Sequence, residues 1–196
     1  MDRPAGRQAR RRTGPGVIKP WKIRRSEPML DARVFTVRKD VTINPRTGQA
    51  HDMFVLEQPN WVNVIPLTPD DQVVMIEQWR HGSRTVELET PGGMMDDNET
   101  TEVCARRELL EETGYEPGQV VLLGTVRPNP AIQSNSQHYL LATGCRKVAE
   151  PNLDHAEDIA VKLVPLRDIP DLIRTGKITH GIVIGAFYWL DLYRRG

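Results

Sequence analysis

Cysteine is scarce in this chain. Only Cys104 and Cys145 are present, so no disulfide framework holds the fold together. Neither has a close Cys or His neighbour at zinc-ligand spacing. Two reduced thiols fit a cytoplasmic protein. Long apolar runs are absent as well, and none reaches the length that spans a bilayer. The basic start lacks the apolar stretch of a secretory signal. Its Gly and Pro residues also interrupt the amphipathic helix that an organelle transit peptide needs. Neither sign of charge prevails, since the formal net charge is 0. The chain as a whole has no electrostatic bias toward nucleic acid or membrane, and neither is expected as a partner.

What is present suffices for a packed core. Hydrophobic residues make up 39% and charged residues 27% of 196 positions, a composition that fits one domain with a short extension. The charge is unevenly placed. Residues 1–25 carry nine Arg or Lys and one acid, Asp2, while acids gather between Glu87 and Glu116. Residues 1–16 have almost no apolar side chains to offset ordering entropy and are expected to be disordered. Contact of this basic arm with RNA would show as salt-dependent binding lost with the arm; a solvated tail is the simpler expectation.

From Val17 the pattern changes. Residues 17–60 read as an N-terminal β extension, with strands at 22–25, 34–41 and 52–57 and a turn at Asn44-Pro45-Arg46-Thr47-Gly48. Residues 61–196 read as the main domain. Strands are expected at 61–66, 72–78, 86–90, 120–127, 138–143 and 158–165. A helix is expected over 99–113, with Asn98 as N-cap and Gly114 just past its end. Two more helices follow at 166–174 and 182–194. This order predicts an α+β chain with a mixed sheet flanked by helices, not a regular βαβ series.

The chemistry concentrates between Gly93 and Tyr115. Glu99 stands six residues after Gly93, and Arg107-Glu108-Leu109-Leu110-Glu111-Glu112-Thr113-Gly114 closes the stretch. At about 100° per residue, Glu108, Glu111 and Glu112 share one arc of a helix. Like charges at that spacing repel. A hard divalent cation with oxygen ligands offsets the repulsion, and Mg²⁺ is the usual choice beside phosphates, with Mn²⁺ as the substitute. Arg107 is placed to hold the acids by side-chain pairs. A solvated acidic face is the other reading of such a charge run. It is weakened by Leu109 and Leu110 inside the run and by Pro91-Gly92-Gly93, which permits close approach of backbone. A carbonyl of that loop, at Gly92, is a further candidate metal ligand.

The stretch resembles the Nudix box, whose fixed positions are filled by Gly93, Glu99, Arg107, Glu108, Leu109, Glu111, Glu112 and Gly114. Tyr115 stands where an aliphatic residue is commoner. The resemblance implies an α/β/α sandwich, dependence on a divalent metal, and attack of water on a phosphoanhydride. It implies that Glu108, Glu111 and Glu112 bind metal, and that Glu99 and Arg107 orient the helix. Residues 61–196 are then the Nudix hydrolase domain.

The flanks resemble the ADP-ribose and nucleoside diphosphate sugar pyrophosphatase branch. Gln78-Trp79-Arg80 and Glu89-Thr90-Pro91-Gly92-Gly93 are similar to its segments before the box. Arg127-Pro128-Asn129-Pro130 falls at its Pro-containing loop, although the proline spacing differs from the ADP-ribose signature. His155-Ala156-Glu157 resembles its mobile acidic loop. The expected activity is hydrolysis of a nucleoside diphosphate sugar of the ADP-ribose or GDP-mannose type. Dinucleotides, NADH or capped RNA ends are the alternative substrates, and a non-catalytic Nudix-fold module is the alternative class.

Several residues carry two readings. Arg80 suits a substrate phosphate, or an ion pair with Glu77 or Glu87. Trp61 suits stacking on a base, or the core. Glu157 is a candidate general base, with His155 and a box glutamate as competitors. Glu89 is a candidate for supporting a second metal or the substrate. Asn129, Gln133 and Asn135 are candidate polar contacts or solvated loop residues. A homodimer through residues 19–43 is expected, because Trp21, Met29, Leu30, Val34 and Phe35 need cover. The branch that the chain resembles dimerises through this region.

Overall fold

Two sheets are built from the β-branched runs of this chain. The computed structural model describes residues 17–155 and 157–196. The expected disordered tail, residues 1–16, lies outside them. The first sheet is antiparallel and three-stranded, in the order β1 (Lys22–Asp31), β2 (Thr36–Ile43) and β3 (Ala50–Glu57). Asn44 closes the β2–β3 turn, its side-chain oxygen accepting from the amides of Arg46 at 2.9 Å and Thr47 at 3.3 Å. β1 runs well past the expected Arg25, because its ladder with β2 continues to Asp31 opposite Thr36. Arg33 takes the positive φ of 66° that turns the chain there.

The central sheet holds β4 (Trp61–Leu67), β5 (Gln72–Arg80), β6 (Thr85–Glu89), β8 (Gln119–Val126), β9 (Gln137–Thr143) and β11 (Ile159–Pro165). Its order is β11-β5-β4-β9-β8, with β6 also paired to β5. β4 and β9 run parallel and the other pairs antiparallel, so the sheet is mixed. A short pair, β7 (Tyr115–Glu116) with β10 (Arg146–Lys147), lies beside it.

Alternation along the strands sorts side chains to two faces. Val62 and Val64 of β4 pack against Cys104, Ala105 and Leu109 of α1 (Thr101–Thr113). Ile65 and Leu67 pack on the opposite face with Val183, Ala186 and Leu190 of α3 (Gly181–Arg195). The result is the expected α/β/α sandwich. α1 starts later than expected. Thr100, not Asn98, is the N-cap, its hydroxyl accepting from the Val103 amide at 3.3 Å. Asn98 has a φ of 66° and belongs to the loop. Gly114 ends α1 with a φ of 74°. The helix expected at 166–174 divides into a 3-10 turn, Leu166–Asp168, and α2 (Ile169–Arg174). Pro170 stands in the first turn of α2, where its missing amide hydrogen costs nothing.

Candidate active site

The segment after β6 runs as an extra edge along β4. The Val62 amide donates to the Gly93 carbonyl at 2.9 Å, and the Val64 amide to the Pro91 carbonyl at 2.8 Å. Gly92, between them, is turned the other way by the pleat, and its amide donates to Oε2 of Glu112 at 2.9 Å. Gly93 cannot be replaced freely, because a Cβ there would overlap the carboxylate of Glu108. The Pro91-Gly92-Gly93 segment and two box acids are therefore in contact.

Arg107 organises the rest. Its guanidinium donates to both carboxylate oxygens of Glu99 at 3.0 Å, to Glu108 at 2.8 Å, to Glu111 at 3.2 Å and to the Met94 carbonyl at 3.2 Å. This pairing holds the Glu99 carboxyl down at about 2. Glu108 and Glu112 go the other way. Both are buried, at 9% and 4% exposure, and burial raises the Glu112 carboxyl to about 8 and that of Glu108 above its usual range. For Glu112 the Gly92 amide opposes this shift, while the charges of Glu108 and Glu157 add to it.

Buried carboxylates that repel each other fit a hard divalent cation, and a Gly92 carbonyl left aside by β4 fits as a further oxygen donor. The acids do not close into a ready-made cage. Among the described residues no three acidic, His or Cys groups stand in ligating geometry, because Glu108 and Glu111 are turned to Arg107 and Glu112 to the Gly92 amide.

These groups line a cavity of about 1110 Å³, ample for a nucleotide-sized ligand. Arg80 lines it too. It forks onto Glu89 with two bonds of 2.7 Å, so neither Glu77 nor Glu87 is its partner. Glu77 is one residue out of phase on β5 and pairs with Lys162 on the far face at 3.2 Å. Glu87 accepts from the Thr179 hydroxyl at 2.6 Å, just before α3. Glu157 lines the cavity, its carboxylate accepting from the Asp154 amide at 3.1 Å; His155 is not part of the lining. Trp61 opens β4, half-buried, at the wall. Asn129 is away from the cavity, and its carbonyl accepts from the amides of Ile132 and Gln133 to shape the β8–β9 loop. Asn135 is buried and accepts from the Gln58 side chain at 3.1 Å.

Sequence reasoning passed over other lining residues. Asn63 and Thr90 are locked together by a 2.7 Å bond from the Thr90 hydroxyl to the Asn63 side-chain oxygen. Glu87 alternates with Glu89 on β6, a spacing that places both on one face and was visible in the chain. Asp154 adjoins the acidic loop at His155-Ala156-Glu157, whereas His180 reaches the cavity from a distant segment that no local signal marks.

Comparison with known proteins agrees with this geometry. The NUDIX domain model matches residues 58–184. A CMP-5'-(N-acetyl-N-hydroxy-3-aminopropyl)phosphonate hydrolase of Streptomyces rubellomurinus (strain ATCC 31215) is 30% identical over 88% of this chain and 83% of its own. The ADP-ribose pyrophosphatase of Bacillus subtilis (strain 168) is 27% identical, over 74% of this chain and 79% of its own. A GDP-mannose pyrophosphatase of Escherichia coli O1:K1 / APEC is 31% identical, over 61% of this chain and 66% of its own. Among solved structures, that of an ADP compounds hydrolase superposes with a TM-score of 0.82 at 21% identity, covering 92% of this chain and 97% of its own, which establishes the fold. The chain belongs to the NUDIX family.

Proposed function

We propose that this chain is a Nudix hydrolase that splits the diphosphate of a nucleoside diphosphate sugar into a nucleoside monophosphate and a sugar phosphate. The observation that carries this reading is the pair of buried carboxylates, Glu108 and Glu112, packed against the Gly92-Gly93 backbone in a cavity of about 1110 Å³ that also holds Arg80. The pyrophosphatase names of the B. subtilis and E. coli relatives support it.

Glu108, Glu111, Glu112 and the Gly92 carbonyl would hold a divalent cation, which we take to be Mg²⁺, with Mn²⁺ as substitute. Such an ion supplies charge neutralisation on the phosphates and a lowered pKa for water. Glu157 takes a proton from the attacking water. The oxygen of that water bonds to phosphorus, and the bridging P–O bond breaks with its electrons leaving on the departing phosphate. Arg80 binds a phosphate with the part of its fork that Glu89 releases. Arg107 positions Glu108 and Glu111. Asn129 stays a candidate polar contact through its side chain, its backbone carbonyl being used in the turn of the β8–β9 loop.

The extension, residues 17–60, serves as a dimerisation element in this reading. Leu30 and Phe54 are 57% and 54% exposed there, and pairing two copies around a two-fold covers such residues. Light scattering at micromolar concentration tests it: two chains are expected, and a mass near the single-chain 22.2 kDa overturns it. Two buried free thiols support a cytoplasmic setting. Among the described residues no helix is long and apolar enough to cross a membrane.

A panel tests the activity: ADP-ribose, GDP-mannose, UDP-glucose, NADH and nucleoside triphosphates, each with Mg²⁺, with Mn²⁺ and with chelator. Cleavage of a diphosphate sugar that stops with chelator is expected. Turnover confined to NADH or triphosphates moves the enzyme to another substrate class, and no turnover at all makes it a binding module.

A further inference from the structure

Glu89 ends β6 almost fully buried, at 1% exposure. Its carboxylate is engaged by Arg80, with two bonds of 2.7 Å. A second nitrogen stands close by. His180 Nδ1 lies 3.9 Å from Glu89 Oε2, beyond hydrogen-bond length. That nitrogen is buried and has no hydrogen-bond partner among the described residues, an uncommon state for a buried polar atom. Arg80, Glu89 and His180 all line the main cavity.

Two local duties that His180 could serve leave its ring unused. It is the N-cap residue of α3, yet its side chain makes no capping hydrogen bond. Glu87, on the same face of β6 as Glu89, already accepts from the hydroxyls of Thr179 at 2.6 Å and Thr85 at 2.7 Å. The backbone around the ring is held from both sides. Thr179 is tied to β6 through Glu87, and the His180 carbonyl accepts from the Ile184 amide at 3.0 Å.

We propose that His180 is a positioning residue that takes over Glu89 when Arg80 turns to a substrate phosphate, its Nδ1–H donating to Glu89 Oε2. The proposal rests on the reading of Arg80 as a phosphate ligand. A guanidinium that leaves a buried carboxylate strands a charge away from water, and an unpaired buried charge is costly. Unrelieved, that cost opposes substrate binding. Arg80 Nη2 and His180 Nδ1 both face Oε2, the first bonded at 2.7 Å and the second in reserve. A movement of about 1 Å brings Nδ1 within donor range. The neutral ring with its proton on Nδ1 suffices, so no change of protonation is needed. Glu89 then keeps a donor in both states, and Arg80 is free to exchange partners.

Isothermal titration of the full chain in Mg²⁺ with the α,β-methylene analogues of ADP and GDP tests this without turnover, because their bridging carbon resists hydrolysis. His180→Leu removes the donor and is expected to weaken binding of the better analogue roughly 10-fold, the scale of one lost hydrogen bond to a charged group. His180→Asn keeps an N–H near the Nδ1 position and should stay within about threefold of the wild type. Arg80→Ala weakens binding by itself. Adding His180→Leu to it should cost no further affinity, because no guanidinium then leaves Glu89. Equal losses in His180→Leu and His180→Asn, unchanged binding in His180→Leu, or no analogue binding by the wild type overturns the proposal. A His180→Leu loss that persists in Arg80→Ala overturns it too and makes His180 a direct phosphate ligand. If the double variant fails to fold, the contrast between His180→Leu and His180→Asn decides alone. If the variants behave as expected but no diphosphate sugar is cleaved, the exchange stands and the hydrolytic reading fails.

Discussion

The amide of Gly92 donates to Oε2 of Glu112 at 2.9 Å across twenty residues of chain. The bond joins the segment after β6 to the last turn of α1 and sets a buried carboxylate beside backbone that approaches it closely. Replacing Glu112 or Glu108 with Gln keeps the shape and removes one hard ligand. Each variant should fold and lose nearly all turnover, a loss on the order of several kcal/mol in transition-state stabilisation. Retention of more than a tenth of wild-type kcat under limiting Mg²⁺ would show that the acid is not a ligand.

Gly93→Ala probes the same contact from the other side. The added methyl meets the flexible end of Glu108, which can swing aside. The fold should survive with Tm within a few degrees, while kcat falls by on the order of 10²-fold through misplacement of the carboxylate. A variant with normal kcat would mean that the position of Glu108 is not critical.

Glu157→Gln should slow the chemical step by about 10²- to 10⁴-fold, the usual contribution of a general base. Single-turnover kinetics separates this from binding. If the defect lies in KM alone, Glu157 is a binding residue and a box glutamate becomes the better base.

Glu112 also makes stability depend on pH. Its carboxyl is raised from about 4.5 to about 8 by burial, so between those values the folded protein keeps a proton that the unfolded chain has released. Stability in chelator therefore falls as pH rises through that window, by up to a few kcal/mol. Denaturant titrations at pH 5 and pH 8 should show Glu112→Gln gaining on the wild type at the higher pH. An equal difference at both values contradicts the assignment. Added Mg²⁺ should reverse the trend, since the ion binds the deprotonated acid and its stabilisation grows with pH.

Much of this was legible locally. The box residues, the helix that carries them and the alternating strands are set by spacing, because helical and strand periods put side chains on faces whatever surrounds them. The turn at Asn44 to Gly48 and the cap at Gly114 follow from single-residue backbone preferences. The N-cap was misplaced by two residues, since Asn98 and Thr100 are both good caps and only the loop geometry decides which one faces the first turn.

Other features depended on contacts between distant segments. The β5–β6 register sets Glu87 nearer to Arg80 than Glu89, yet the Thr179 hydroxyl engages Glu87 and the long Arg80 side chain reaches on to Glu89. A smaller cavity of about 480 Å³ beside the main one exists because Trp61 of β4, Tyr139 of β9, the β8–β9 loop and the start of α3 meet, segments with no common motif. The raised Glu112 carboxyl likewise needs burial by the whole sandwich. The sequence alone determined which residues can do the chemistry and on which face of which element they stand. Tertiary packing decided their partners, their solvation and the shape of the space between them, because those quantities are set by groups far apart in the chain.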